Sequence, residues 1–451
     1  MISSPPQFPD AISVNLVSSL LSLLVKENFQ LQGPNVIRVA SASSPTPHRS
    51  LFHTIQQLGL GAVSVDFLAT VASFPNPDDK IRSTSLKVQG GGNSGNALTC
   101  AARLGLNPRL ISKVANDSQG KGILEELEAD GVNTFFFIVS EEGNSPFTYV
   151  IVDNQTVFLQ KPLFGCGRKL QSYTCNKNGN KVVAYVTKMN IEVRMFADWK
   201  TRTCINTPGY PPLIPEELSH SSLLSALDGA NMVYFDGRHP ETALLVAKEA
   251  ARKNMPILVE AERKREGLDD LLEFANYAVC SAKFPQAWTE APSVPSALIS
   301  MLLRLPKLKF VIVTMGEDGC IMLERSVNGG SDAEEIDVHS ILESLKQRKD
   351  DNKTIPTCIS SVATRLTSNG IGTLTGRLFL GTAEKIPPSE LVDTTGAGDA
   401  FIGAVLYALC AGMPQEKMLP FAARVAATGC RALGARAGLP LRTDPRLAGF
   451  L

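Results

Sequence analysis

The stretch Asp393-Thr-Thr-Gly-Ala-Gly-Asp399, running on into Ala400–Gly412, decides how this chain is read. An apolar strand end passes through a glycine-rich turn into a helix that carries Phe401, Val405 and Leu409 on one face. Gly396 and Gly398 open backbone geometry closed to other residues, so successive N–H groups around Gly396, Ala397 and Gly398 can point at one anion. The helix N-terminus adds its positive end. A carboxylate at Asp399, beside that anion hole, can take the proton of a hydroxyl that attacks a held phosphate. An N-cap aspartate after a glycine turn would account for Asp399 alone; two glycines and two acids in this order favour the chemical reading.

The pattern from Gln57 onward is strand, helix, strand, helix. Leu58–Phe67 (LGLGAVSVDF) reads as one buried strand ending near an acid, Ala97–Leu104 as a helix and Arg109–Val114 as the next strand. Met232–Asp236, Pro256–Glu260, Tyr277–Cys280 and Phe310–Met315 are further short apolar runs. Apolar runs of this length between amphipathic helices predict a mostly parallel sheet covered on both faces, a three-layer α/β/α domain. Lys87–Gln89, Phe147–Val152 and Arg202–Thr207 alternate instead, and are expected to form a separate small sheet, a lid.

Three segments stand apart. Residues 1–57 are rich in Ser, Pro and Asn and poor in acids, and read as a leader, disordered or a transit segment. Residues 156–200 and 326–372 are read as surface insertions, the first interrupting two strands that would otherwise close as a hairpin, or being retained non-coding sequence. The remainder, 58–451, is taken as one catalytic domain.

Composition narrows the classes. In 451 residues, 44 Lys+Arg balance 44 Asp+Glu, which argues against nucleic acid or an anionic membrane as partner. No apolar run reaches the ~20 residues of a membrane-spanning helix. Nine scattered cysteines form no zinc-spaced cluster, and HExxH is absent, so a reducing, cytoplasmic setting is the default, or an organelle if the leader is a transit peptide. No G-x-x-x-x-G-K-[ST] occurs, which excludes a P-loop kinase. Gly90-x-Gly92-x-x-Gly95 followed by Asp117 imitates a dinucleotide fingerprint, but a strand already precedes it, so the dinucleotide reading is set aside.

DTTGAGDAFIGAVL resembles the C-terminal signature of the ribokinase-like (PfkB) carbohydrate and nucleoside kinases. Gly90-Gly-Gly-Asn-Ser-Gly-Asn96 resembles a second motif of the same family, in the right order and at the right separation. Within the family the closest likeness is to the ketohexokinases, through Gly91-Gly-Asn-Ser-Gly-Asn96, Asp236-Gly-Arg238 and Val259–Glu266. The resemblance implies an ATP-dependent kinase of a small polyhydroxylated substrate, with Asp399 as general base and Asp66, Gly92, Asn93 and Asn96 binding a ketohexose- or pentose-type sugar. Thr314-Met-Gly316-Glu-Asp-Gly319, an ordinary turn by itself, resembles the turn that holds the nucleotide. Arg238 would contact phosphate. Asp393 and Thr395 resemble positions that hold a monovalent cation, K+, and Mg2+ would bridge the nucleotide phosphates. A homodimer through the lid follows by analogy. The Asn-x-x-Glu motif of other members is missing near Ser281–Phe284. A nucleoside kinase and a non-catalytic scaffold of the same fold remain the alternatives.

Overall fold

The computed structural model describes residues 55–153, 201–326 and 335–451, with the backbone of 183–187 and 190–194. Six strands form the parallel heart of an eleven-stranded sheet: Asn107–Ile111, Gln56–Leu60, Ala230–Phe235, Ile257–Ala261, Tyr277–Ser281 and Phe310–Thr314, in that spatial order. Cys320–Arg325 and Gly372–Gly381 extend it antiparallel. Alternation along one strand shows why the sheet must be covered twice. Val233 and Phe235 enter the core on one face, with Val246 and Leu298 from helices, while Met232 and Tyr234 enter the other, with Leu98, Val405 and Val425. A strand buried on both faces has no polar side to show, hence the runs of Val, Ile and Leu.

The small sheet forms as expected from Ser85–Gly91, Phe147–Asp153 and Thr201–Thr207, but it has a fourth member. Leu58–Phe67 is not one strand. It breaks at Gly61–Val63 into Gln56–Leu60, in the main sheet, and Ser64–Val71, in the lid between Ser85–Gly91 and Phe147–Asp153. Asp66 therefore sits on a lid strand and not at the carboxyl end of the first main-sheet strand. The break is fixed from outside the segment: Asp236 Oδ2 accepts from the Ala62 amide at 2.7 Å and holds the bend down. A hydrophobic run carries no trace of such a partner.

The two interruptions differ from each other. Asp153 and Thr201 close the ladder between their strands as directly paired residues, so the hairpin expected around the first segment exists. Within that segment, 183–187 and 190–194 pair antiparallel, and its remainder, like residues 1–54, lies outside the described residues. The second segment is not a surface excursion. Glu335–Asp337 and Thr364–Ser368 continue the main sheet, Cys358–Ser360 pairs with Gly372–Gly381, and the helix Val338–Gln347 buries Val338, Leu342 and Leu345 in the core. Of its charged run, Glu343 and Lys346 stand on the exposed face of that helix, and Arg348 to Lys353 follow its C-terminal end. The break in composition misled because one amphipathic helix contributes both.

Candidate active site

The carboxyl ends of the parallel strands, the lid and the glycine turn enclose a cavity of about 590 Å3. Asp399, Asp66, Asn93, Asn96, Gly92 and Arg238 all line it, so the sugar-site residues and the base expected from sequence meet in one place. Gly396 caps the helix Ala397–Cys410 with φ 74°, and a side chain there would strike Ala435 at 2.5 Å. That position demands glycine on both counts. Gly398 differs: a Cβ there meets nothing within 4 Å. The open space over Gly398 is a cradle at the mouth of the helix, where the amides of Gly398 and Asp399 have no intrahelical acceptor. The Ala397 amide already donates to the Thr394 carbonyl at 3.2 Å.

Asp399 Oδ2 accepts from Asn96 Nδ2 at 2.8 Å, and among the described residues no protein group donates to Oδ1. Burial among protein raises the Asp399 pKa to about 6, against the lowering pull of that hydrogen bond. Asp66 reaches the cavity from the lid, its Oδ1 accepting from Ser64 Oγ at 2.9 Å, and desolvation raises its pKa as well. A Cβ on Gly91 would lie 2.2 Å from the Asp66 carboxyl, so the glycine run makes room for the acid opposite. Its likeness to a dinucleotide fingerprint has another cause: Asp117 caps the helix Ser118–Ala129, accepting from the Gly120 amide at 2.6 Å.

Asn93 Nδ2 donates to Glu260 Oε1 at 2.9 Å, and Tyr234 donates its hydroxyl to Glu260 Oε2 at 2.7 Å. Burial, with Asp399 and Asp236 nearby, pushes Glu260 well above the usual carboxylate range. Glu260 was not singled out by sequence as a site residue, although it lies within the Val259–Glu266 segment. Asp236, by contrast, is a strap: besides Ala62 it holds the Ser94 amide at 3.3 Å and the Arg238 amide at 3.0 Å. Arg202, another residue not expected, crosses from the lid to Thr394 Oγ1 at 2.7 Å and lines the cavity.

Toward the far end, Thr314 lines the cavity and its hydroxyl donates to the Cys280 carbonyl at 3.3 Å. Gly316 and Gly319 form the turn just beyond, at φ 62° and 85°, and are not themselves part of the cavity wall. Ser281, at the place of the missing Asn-x-x-Glu, donates to the Glu262 carbonyl. Asp393 is buried, and its carboxylate accepts from the Thr395 amide at 2.9 Å, the Thr395 hydroxyl at 2.7 Å and the Gly434 amide at 2.8 Å. Among the described residues no basic side chain forms an ion pair with it, and no three His, Cys, Asp or Glu side chains form a metal cage.

The model of the pfkB family carbohydrate kinases matches residues 58–163 and 346–442. Ribokinase of Bacillus subtilis (strain 168) is 22% identical over 386 residues, 85% of this chain and 96% of its own length. Ketohexokinase of Mus musculus is 19% identical over 383 residues, covering 83% and 96%. The solved structure of Arabidopsis thaliana ribokinase complexed with ribose and ATP superposes with a TM-score of 0.54 at 18% identity, covering 86% of this chain and 96% of that one.

Proposed function

We propose that this chain, which carries the pfkB family carbohydrate kinase domain, transfers the terminal phosphoryl group of ATP to a hydroxyl of a small ketohexose- or pentose-type sugar, with Asp399 as general base. The chain is a sugar or nucleoside kinase. The preference for a sugar, and the role of each residue, rest on the site. One observation carries the reading: an Asp399 oxygen that accepts from no protein donor among the described residues faces the same cavity as Asp66, beside the open cradle over Gly398.

A hydroxyl held by Asp66 and the Asn93 amide lies within the reach of Asp399, which takes its proton as the oxygen attacks. Negative charge gathering on the transferring group meets the Gly398 and Asp399 amides and the helix N-terminus. Arg238 and Arg202 add positive charge along the wall, and Thr314, Gly316 and Gly319 hold the nucleotide. Mg2+ when bound supplies neutralisation of the nucleotide phosphates. Asp393 and Thr395 fit a monovalent cation, because among the described residues this buried carboxylate is met by N–H and O–H dipoles and by no ion-paired basic side chain. The Arg202–Thr394 contact ties the lid down over the site and excludes water.

The outer face of the lid supports a homodimer. Val88, Phe67, Tyr149 and Ile205 stand opposite one another across all four strands, with Val88, Tyr149 and Ile205 about half exposed. A contiguous apolar row of this kind is an association surface. Among the described residues no helix is long and apolar enough to cross a membrane. A cytoplasmic setting, or an organelle reached by the leader, is part of the same proposal.

A coupled ADP-release screen across ketoses, aldoses and nucleosides tests the reading. ADP release stimulated by a ketose or pentose supports it, stimulation by nucleosides alone assigns the nucleoside alternative, and no stimulation by any acceptor assigns the non-catalytic one.

A further inference from the structure

We propose that Arg436 is a positioning residue for the general base, acting through Asn96; this rests on the reading of Asp399 as that base. Arg436 is 2% exposed, beneath the glycine run. Its Nε donates to Asn96 Oδ1 at 2.9 Å and its Nη2 to the Gly91 carbonyl at 2.9 Å, while Nη1 lies 3.5 Å from Glu126 Oε1. Glu126 Oε2 in turn accepts from the Gly90 amide at 2.6 Å. A Cβ on Gly90 or Gly95 would come within 2.3 or 2.4 Å of the guanidinium nitrogens, so the run forms a slot shaped to this side chain.

The chemistry of the amide gives the slot its consequence. The two ends of an asparagine amide are nearly equal in size and opposite in hydrogen-bonding sense. A guanidinium only donates, so Arg436 draws the Asn96 oxygen toward itself and leaves the NH2 end aimed at Asp399 Oδ2, 2.8 Å away. Without Arg436 the amide can turn and set its oxygen against the carboxylate. The base would then lose the one side-chain donor it has among the described residues, and its charged form would be disfavoured. A buried guanidinium is costly to desolvate, and the partly exposed Glu126 offsets that only in part, so the position is poor economy for a purely structural clamp.

Asp399 also faces Asp66 and Arg202 from the lid, Glu262 after the strand Ile257–Ala261, and Glu260, Asp236 and Tyr234 on the main sheet. Asp66 also feels the Arg436 charge, which lowers its pKa, so the share of a pH-profile shift that belongs to the amide is the part that vanishes when Asn96→Ala is already present. In the full-length protein assayed with ATP and D-ribose or D-fructose, Arg436→Met is expected to lower kcat tenfold or more, leave the KM for ATP within twofold, and move the acid limb of kcat/KM up by about half a pH unit. Arg436→Lys should restore that limb in part. The double variant Arg436→Met/Asn96→Ala should be no slower than Asn96→Ala alone. Additive losses, or an unmoved acid limb with activity lost in proportion to the folded fraction, overturn the proposal. If Arg436→Met does not fold, Arg436→Gln enters the same cycle. Neutron diffraction from the folded variant, which tells amide nitrogen and its deuterons from oxygen, reads the claim without turnover: Asn96 Nδ2 should leave Asp399, and its staying at hydrogen-bond distance overturns the proposal. Asp399→Asn, run alongside, separates the two readings. Full turnover in that variant refutes the base assignment, whereas loss there with an additive Arg436 cycle refutes the role of Arg436 alone.

Discussion

Asn96 and Asp399, 303 residues apart in the chain, meet side chain to side chain at 2.8 Å. The contact joins the two motif-bearing helices, Asn93–Arg103 and Ala397–Cys410, at their N-terminal ends. Each N-terminus opens into the same cavity, and in the proposed function substrate and phosphate meet one carboxylate from these two sides.

With Asp399 as the proposed base, that carboxylate sets the pH dependence. A group raised to about 6 is proton-bound below that value and cannot accept a proton. The kcat with a good acceptor is therefore expected to fall tenfold per unit below pH about 6 and to be level above about 7. A rate–pH profile from 4.5 to 8.5 checks this; a profile flat through 6 contradicts it.

The same shift has a sign for stability. The folded-state pKa lies above the ordinary 3.8, so the charged form is penalised in the fold, fully above pH 6 and not at all below 3.8. Asp399→Asn should raise the unfolding free energy at pH 8 by about 1–3 kcal/mol, and the gain should vanish toward pH 4. Calorimetry at the two pH values measures the difference.

Gly396 and Gly398 separate fold from function. Gly396→Ala meets both a positive φ and the Ala435 contact at 2.5 Å, and should cost roughly 2–4 kcal/mol. Gly398→Ala meets no protein atom, so the Tm should hold within about 2 °C while kcat/KM for ATP falls tenfold or more, because the methyl fills the cradle meant for phosphate. Equal thermal stability of the two variants would be wrong for this account.

In the proposed function Asp66 accepts from sugar hydroxyls. Asp66→Ala should raise the acceptor KM about tenfold, near the 1–3 kcal/mol of one lost buried contact, with the KM for ATP nearly unchanged. Paired titrations of acceptor and ATP decide, and a matching fall in ATP affinity would move Asp66 out of the sugar site.

The paired ends Asp153 and Thr201 make the first inserted segment removable. Replacing residues 154–200 by Asn-Gly should close the hairpin as a two-residue turn and keep the protein folded with its activity maintained or raised. Loss of acceptor-dependent turnover in that shortened protein would show the segment to be integral to the lid.

What could be read from sequence was local. The glycine turn, its aspartate and the GGGNSGN run each carry their chemistry within seven residues, and the structure gathers them around one cavity. Partners supplied by other elements left no such mark. Gly61–Val63 bends because of Asp236, and nothing in LGLGAVSVDF shows it. Arg436 lies in GARAGLP among small residues, a weak sign of a buried arginine, and Glu260 gave no signal beyond an acid at a strand end. In the segment 326–372 a signal was present and outweighed: Val338, Leu342 and Leu345 follow helical spacing inside a polar stretch.

The central claim, that Asp399 takes the proton of the attacking hydroxyl, is tested most directly by Asp399→Asn. Binding of ATP and of the acceptor is measured by titration calorimetry and the phosphoryl-transfer step by single-turnover quench. The account predicts dissociation constants within a few-fold of the parent protein and a transfer rate lower by on the order of 10² or more. Transfer at the parent rate, with both ligands bound, would contradict it.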